Sequence, residues 1–348
     1  MIRETKDLRR KGRVYQTGVY LGKFFRMFIY QSDWKVMPIA ALIAGLVGMV
    51  MKNSLFRTME GTLLGSFAIA CICVWNGFFN SIQNVCRERA IVKREHRSGL
   101  HISSYITAHT IYQAFMCLLQ TIITMFVLQK MGVVFPQTPK GLVTGDITLD
   151  LGITIFLTTF ASDMLSLLVS SVVRNTTTAM TVMPFLLIFQ LVFSGGFFVL
   201  PDSITFLTDY TITKWGLTAS CAQGQYNDLP MTALWKSMKK MRNGSITAGQ
   251  LKEFMLASPD FSQDPEMVVL LNSIPDDKEI EFEAYISYIE SQNGGIIIER
   301  KSGEFNQEEK YASEPAVIIK CWQMLAIHIL IYIGVATAAL EFIDKDKR

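Results

Sequence analysis

Asp163 is the one Asp, Glu, Lys or Arg residue within the long apolar segments of this sequence. It is the single charged residue between Leu151 and Val173. A carboxyl group within a membrane segment is costly to bury and is by default a candidate functional site. It could relay protons in a transporter driven by an ion gradient, or it could serve as a structural hydrogen-bonding group. We favour the structural role, because no other apolar segment carries a Lys or Arg to pair with it.

A second candidate is a polar stripe in an earlier apolar segment. Cys73, Asn76, Asn80 and Asn84 recur every three or four residues, so they share one face of a helix. A polar face within a membrane segment meets protein or a water-filled cavity, not lipid. The stripe therefore predicts either helix packing or the lining of a cavity, and the residues alone leave both alternatives open.

Enzymatic chemistry has little support. The phosphate-binding pattern GxxxxGK[ST] is absent, which argues against ATP hydrolysis of the P-loop type by this chain. The nucleophile and zinc motifs GxSxG and HExxH are absent too. His101, His109 and His328 have no carboxylate or thiol at metal-ligand spacing. We predict no catalytic residue, no metal site and no directly bound cofactor.

The most densely charged stretch lies between two long apolar segments and ends at Arg97. Charge of this density beside a bilayer marks the cytoplasmic side. The apolar residues Ile91 and Val92 suit a short helix lying along the membrane surface, and we predict that this helix contacts a soluble partner. Its charged residues are Arg87, Glu88, Arg89, Lys93, Arg94, Glu95 and Arg97.

The elements that must position these residues are transmembrane helices. Half of the 348 residues are apolar, and several uncharged runs exceed the roughly 20 residues that a spanning helix needs. We predict an all-α, polytopic membrane protein with six spans. The predicted spans are residues 36–51, 61–86, 103–129, 151–173, 176–200 and 321–340.

Charge predicts how the spans are oriented. Residues 1–35 contain nine basic and three acidic side chains, and apolar residues recur among them at helical spacing, which predicts an interfacial amphipathic helix. An even number of spans places both termini on one side of the membrane. The positive charge of the N-terminal arm, the charged stretch and the C-terminal tail predicts that this side is the cytoplasm.

A long region separates the fifth and sixth predicted spans. Residues 201–316 hold 10 basic and 18 acidic side chains, against 23 and 12 in the remainder, so we expect this region outside. Its apolar beginning, with Pro201 and Gly216, predicts a re-entrant segment, and a mainly helical extracytoplasmic domain follows Tyr226. The predicted parts are an arm with interfacial helix (1–35), five spans with the charged helix 87–99 (36–200), the outside region (201–316), and the last span with a tail (317–348).

Several short motifs follow one another along the chain: Glu88-Arg89, Glu95, Ser98-Gly99, Ser103 to Tyr105, Phe193-Ser194-Gly195, Pro201, and Lys214 to Asn227. In this order and spacing they resemble the membrane domain of G-subfamily ABC exporters, the White and pleiotropic-drug-resistance type. The resemblance covers nearly the whole chain apart from residues 228–316. It implies a permease whose six spans pair with a second copy or a related chain around a central substrate cavity.

The resemblance also implies roles for individual residues. Coupling to an ATPase, through the helix 87–99, is expected of Glu88, Arg89, Glu95 and Arg97. The substrate cavity is expected to be lined by Cys73, Asn76, Asn80, Ile188 and Leu191. An apolar plug between the cavity and the exit is expected at Phe197 and Phe198.

The partners follow from the same resemblance. That family usually carries its ATPase on the same polypeptide, and this sequence has none, so we expect a separate ATP-binding cassette subunit that binds ATP and Mg. The expected cargo is an amphipathic or lipid-like small molecule moved outward, and no nucleic acid is involved. Two other classes stay open: a transporter or channel driven by an ion gradient through Asp163, and a membrane receptor working through its outside region.

Overall fold

A computed structural model describes residues 12–30, 33–56, 59–136, 141–196, 201–229, 245–247, 249, 252, 268–269, 272, 275–276, 279–281 and 309–342. Helices dominate this part of the chain. The main helices are α1 (Arg13–Tyr30), α2 (Val36–Met51), α3 (Met59–Ser81), α4 (Asn84–Arg97), α5 (Ile102–Lys130), α6 (Ile147–Val172), α7 (Thr176–Val192), α8 (Ile212–Gln223) and α9 (Pro315–Glu341).

Four helical stretches in the described part are long and apolar enough to cross a membrane. They are α5, α6, α9 and the stretch Gly61–Arg97, which combines α3 with α4. The chain is therefore a multi-pass membrane protein. α2 and α7 are apolar but have only 16 and 17 residues, which at about 1.5 Å per residue is shorter than a bilayer core of roughly 30 Å. Six spans thus remain a prediction.

The predicted second span ends earlier than the sequence suggests. α3 stops at Ser81, the chain turns at Ile82 and Gln83, and α4 starts at Asn84. The charged helix therefore begins three residues before the predicted position, and it ends at Arg97. Gly99 terminates it with a φ of 106°, a left-handed conformation that favours glycine.

The core lies where α3, α6, α8 and α9 pack together. Gly77 of α3 allows a close approach to α6, because a Cβ atom there would lie 2.5 Å from the carbonyl oxygen of Thr159. Gly216 of α8 lies against the side chain of Thr158, whose Oγ1 atom would be 2.7 Å from a Cβ atom at this position. The segment predicted to be re-entrant therefore folds, in its second half, as a helix buried along its length between spans.

The all-α fold class is confirmed for the membrane part of the described chain. In the region 201–316, a 3-10 helix (Asp202–Tyr210) precedes α8, and two three-residue strands occur further on. β1 (Ser245–Thr247) pairs antiparallel with β2 (Glu279–Glu281), with Ile246 opposite Ile280. The sequence does not reveal these strands, because three residues are too few to show the alternation of a strand. Most of the predicted outside domain lies outside the described residues, and so does the predicted plug at Phe197 and Phe198.

Candidate functional site

The charged helix α4 packs into the protein by one face. Val85, Cys86 and Val92 are buried, whereas Ile91 and Arg94 are exposed. Val92 joins the main apolar cluster that also contains Phe24 of α1. The buried residues Val85, Cys86 and Val92 therefore anchor the helix, and its opposite side is exposed.

α1 is fastened to α4 by two polar contacts. The ammonium group of Lys23 lies 2.9 and 3.0 Å from the two carboxylate oxygens of Glu88. The hydroxyl group of Tyr20, one turn earlier, donates a hydrogen bond to the carboxylate of Glu95. Burial, and next the contact with Glu95, raise the pKa of Tyr20 well above its usual value, so its hydroxyl stays protonated. The two contacts span two turns of α4.

α1 also holds the connection that follows α4. The side-chain amide of Gln16 donates to the carbonyl oxygen of Gly99 at 3.2 Å. The backbone N–H of His101 donates to Oε1 of Gln16, the oxygen of the same side-chain amide, with an N–O distance of 2.9 Å. One side chain thereby satisfies a backbone acceptor and a backbone donor between α4 and α5. The whole unit from Asn84 to His101 is tied to α1.

Arg89 joins α4 to the end of α6. Its Nη1 atom donates to the carbonyl oxygens of Ser171 and Val173, at 2.8 and 3.2 Å. The last carbonyls of a helix have no partner within that helix, and a cation near them also interacts favourably with the helix dipole. Ser170 completes the junction, since its hydroxyl oxygen accepts hydrogen bonds from the backbone N–H groups of Val85 and Cys86, both at 3.1 Å.

The four residues predicted for coupling thus divide into two groups. Glu88, Arg89 and Glu95 face the protein and hold α4 against α1 and α6, whereas Arg97 lies on the exposed side. Sequence reasoning missed the partners Tyr20 and Lys23. The one available signal was their position on the predicted amphipathic helix.

Asp163 is fully buried among neutral hydrogen-bond donors. Its carboxyl group accepts from the hydroxyl of Ser81, from Nδ2 of Asn80 at 3.3 Å and from the thiol of Cys117 at 3.3 Å. Asn80 in turn exchanges two hydrogen bonds of 2.9 Å with Gln120. This network links α3, α5 and α6. It satisfies a buried polar group without a cation, which is what a structural role requires.

The residues predicted for the substrate cavity do not come together within this chain. Cys73 and Asn76 are buried, and Cys73 packs in an apolar cluster against α6. Asn80 is partly exposed and lines a cavity that neither Ile188 nor Leu191 lines. Ile188 is 57% exposed on α7, and Leu191 is half-buried. Two of the five residues are thus enclosed in the packing of the helices, while Ile188 lies on the surface of the described part of the chain.

The described residues hold no cluster of metal ligands. Among them, no group of three or more His, Cys, Asp and Glu side chains could hold a metal ion. All six cysteines are free thiols.

A family comparison bears on the same region. Residues 17–216 match the family model described as ABC-2 type transporter. The match runs from α1 into α8, so it contains α4 and the residues Tyr20, Lys23, Arg89 and Ser170 that contribute to its contacts with α1 and α6. A search of curated proteins finds no match. Domains of this family are permease components that work in the membrane with an ATP-binding cassette partner. The chain belongs to the ABC-2 type transporter family, as a membrane permease component of an ABC transporter.

Proposed function

We propose that this chain is the permease subunit of a G-subfamily type exporter, which moves an amphipathic or lipid-like substrate outward when a separately encoded ATPase hydrolyses ATP. The main observation in support of this proposal is that α4 is attached to α1 and α6 by polar contacts. Glu88, Arg89 and Glu95 attach it to α1 and α6, while Arg94 and Arg97 lie on its exposed side.

This arrangement supports a mechanical role for α4. A push from the ATPase on the exposed side would reach α1 through Glu88 and Glu95, and α6 through Arg89. α6 in turn packs on α3 and α9, so the displacement would move several spans as a rigid body. The exposed arginines suit a partner surface with acidic groups, since charge complementarity fixes the register of an interface.

The proposal includes six spans, with both termini in the cytoplasm and residues 201–316 outside. α2 and α7 are short for a span, but the bilayer thins locally around short helices, and flanking side chains extend to the interface. Lys35 and Lys52 flank α2 in this way. A second membrane subunit would complete the substrate cavity, with the exposed Ile188 and its neighbour Leu191 of α7 facing that subunit. The plug at Phe197 and Phe198 belongs to the same proposal.

The test is reconstitution with an ATPase. The purified chain should retain an ATP-binding cassette subunit and, in proteoliposomes, move an amphipathic probe only with ATP. Replacing Arg94 and Arg97 together with Glu should release that subunit, because both charges lie on the exposed side of α4. Lys52→Glu is the control and should leave the complex intact, because Lys52 follows the C-terminal end of α2, which the proposed topology places on the outer side of the membrane. Uptake without nucleotide, by a chain that binds no ATPase, would support the ion-driven alternative and contradict the proposal.

A further inference from the structure

Gln190 lies in the last turn of α7 and is 2% exposed. It continues the buried face of this helix, which also carries Ala179, Met183 and Leu187. Those three residues pack in an apolar cluster with α3. A side-chain amide is costly to bury in such a place unless its polar atoms form hydrogen bonds. The partners of Gln190 therefore indicate why a polar residue occupies this position.

The partners of Gln190 are at the N-terminal end of α8. Its Oε1 atom accepts hydrogen bonds from the backbone N–H groups of Ile212 at 2.8 Å and Thr213 at 3.3 Å. Because both partners are N–H donors, the amide must turn its oxygen toward them. Thr211, the N-cap residue of α8, makes no capping bond with its own side chain. Gln190 thus caps α8 from a different helix.

Water cannot replace this cap. Thr211, Ile212 and Thr213 are each 0% exposed, and the first N–H groups of a helix have no partner within that helix. A second contact runs in the opposite direction. The hydroxyl group of Thr211 lies 2.7 Å from the carbonyl oxygen of Thr208 and 3.2 Å from that of Phe193, the residue that follows α7. The end of α7 and the start of α8 are therefore joined by side chains from both helices.

The C-terminal end of α8 is joined to the core of the bundle. Nε2 of Gln223 donates to the hydroxyl group of Thr154 in α6 at 2.8 Å, and the indole N–H of Trp322 in α9 donates to the same hydroxyl at 2.8 Å. Arg89 of α4 contacts the opposite end of α6. A displacement of α6 therefore reaches α8 directly, and it reaches the end of α7 through Gln190.

We propose that Gln190 makes α7 and α8 move as one unit. The open face of α7, on which Phe185 is 69% and Ile188 is 57% exposed, then follows the motion of α6. Gln190 is a positioning residue, because it acts through the backbone N–H groups of α8. The joining of the two helices rests on the contacts described above, whereas its part in transport rests on the proposed permease function.

The first experiment measures hydrogen exchange by mass spectrometry on the purified full chain in detergent micelles, without ATPase. Gln190→Met keeps the length of the side chain and removes the amide oxygen. The peptide that contains Ile212 and Thr213 should then exchange about tenfold faster. Gln190→Glu keeps an oxygen acceptor and should stay within twofold of the wild type. Gln323→Met, which changes an exposed glutamine of α9, is the matched control and should also stay within twofold.

An additional variant makes this experiment independent of how well Gln190→Met folds. Gln190→Asn keeps the amide but shortens the side chain by one methylene group, so it should raise exchange in the same peptide. Wild-type exchange in Gln190→Met or Gln190→Asn would overturn the proposed joining of α7 and α8. Equal increases in Gln190→Met and Gln190→Glu would also contradict it, because the second variant retains an acceptor.

The second experiment measures how many molecules of an amphipathic probe are moved per ATP hydrolysed, in proteoliposomes that contain the ATPase. A residue that only stabilises the fold changes the amount of active complex and leaves this ratio unchanged. We expect Gln190→Met to lower the ratio about tenfold, and Gln190→Glu to keep most of it. A wild-type ratio in Gln190→Met would overturn the role in transport. If the wild-type chain moves no probe, the permease function fails, and the first experiment still decides whether Gln190 joins the two helices.

Discussion

The hydroxyl group of Tyr20 in α1 donates a hydrogen bond to the carboxylate of Glu95 in α4, 75 residues further along the chain. Burial and this contact raise the pKa of Tyr20. A tyrosine with a raised pKa keeps its proton up to a higher pH than a free tyrosine, so its stabilising contribution is lost only when the pH rises above about 10. The contact therefore holds α1 against α4 throughout the physiological pH range.

Replacing Tyr20 with Phe removes this hydrogen bond and little else. A hydrogen bond to a charged group contributes about 1.5 to 3 kcal/mol, and the lower end applies to this partly exposed pair. We expect near-normal membrane insertion and a marked loss of ATP-driven transport in proteoliposomes. Tyr30→Phe is the control, because Tyr30 lies at the end of the same helix and is 83% exposed. Equal transport by the two variants would show that the hydroxyl of Tyr20 plays no part in coupling.

The ion pair between Lys23 and Glu88 permits a charge exchange. Lys23→Glu alone places two acids together, and Glu88→Lys alone places two cations together, so each should lower transport. The double exchange restores opposite charges at the same two positions and should recover a large part of the activity. A double-mutant cycle of transport rates measures this coupling. If the double exchange is no better than either single change, the pair does not connect the two helices in function.

Gly77 should be essential for the contact between α3 and α6. A Cβ atom there would lie 2.5 Å from the Thr159 oxygen and 2.7 Å from the Asp163 nitrogen, and both are backbone atoms that cannot move independently. Gly77→Ala should therefore lower the free energy of unfolding by about 1 to 3 kcal/mol. Gly152→Ala in α6 meets nothing within 4 Å and should be neutral or stabilising. Thermal unfolding in detergent compares the two, and similar midpoints would refute the close approach.

Element bounds were predictable where polar residues end an apolar run. The span predicted at 103–129 is α5 (Ile102–Lys130), because His101 and Lys130 mark its two ends. The turn at Ile82 and Gln83 was not predictable, because neither residue is a glycine or proline. A continuous helix to residue 86 fits the sequence equally well.

The partners of the site residues were much less predictable than the residues themselves. Helical periodicity places Asn80 on a polar face, but it does not say that this face meets Asp163 of α6. In the same way, the sequence of α4 suggests only weak pairing within the helix for Glu95. Its observed partner lies on another helix, and contacts of this kind depend on how whole helices pack.

The side of the membrane on which β1 lies can be tested by labelling. If residues 201–316 are outside, Ser245→Cys should react with an impermeant thiol reagent added to intact cells, once any outer barrier is permeabilised. Ser98→Cys, in the turn after α4, should react only after the inner membrane is broken. The native thiols give little background, because five of the six are buried and Cys71 is half-buried. Labelling of Ser245→Cys only in broken membranes would reverse the proposed topology.

We propose that α4 transmits the action of an ATPase to the spans through Glu95. The competing account gives α4 no task except to hold positive charge on the cytoplasmic side, a rule to which acidic residues contribute little. That account predicts a silent Glu95→Ala and disturbed insertion when Lys93, Arg94 and Arg97 are neutralised together. Glu95→Gln separates loss of charge from loss of the acceptor, because its amide oxygen can still accept from Tyr20.

The most direct test measures membrane insertion and ATP-driven transport of Glu95→Ala, Glu95→Gln and the triple neutral variant side by side. A hydrogen bond to a charged group contributes about 1.5 to 3 kcal/mol, and Glu95→Ala removes the acceptor of this partly buried contact. We therefore predict that Glu95→Ala inserts normally but loses transport about tenfold or more, while Glu95→Gln keeps most of it. A Glu95→Ala variant that transports at the wild-type rate would contradict the account.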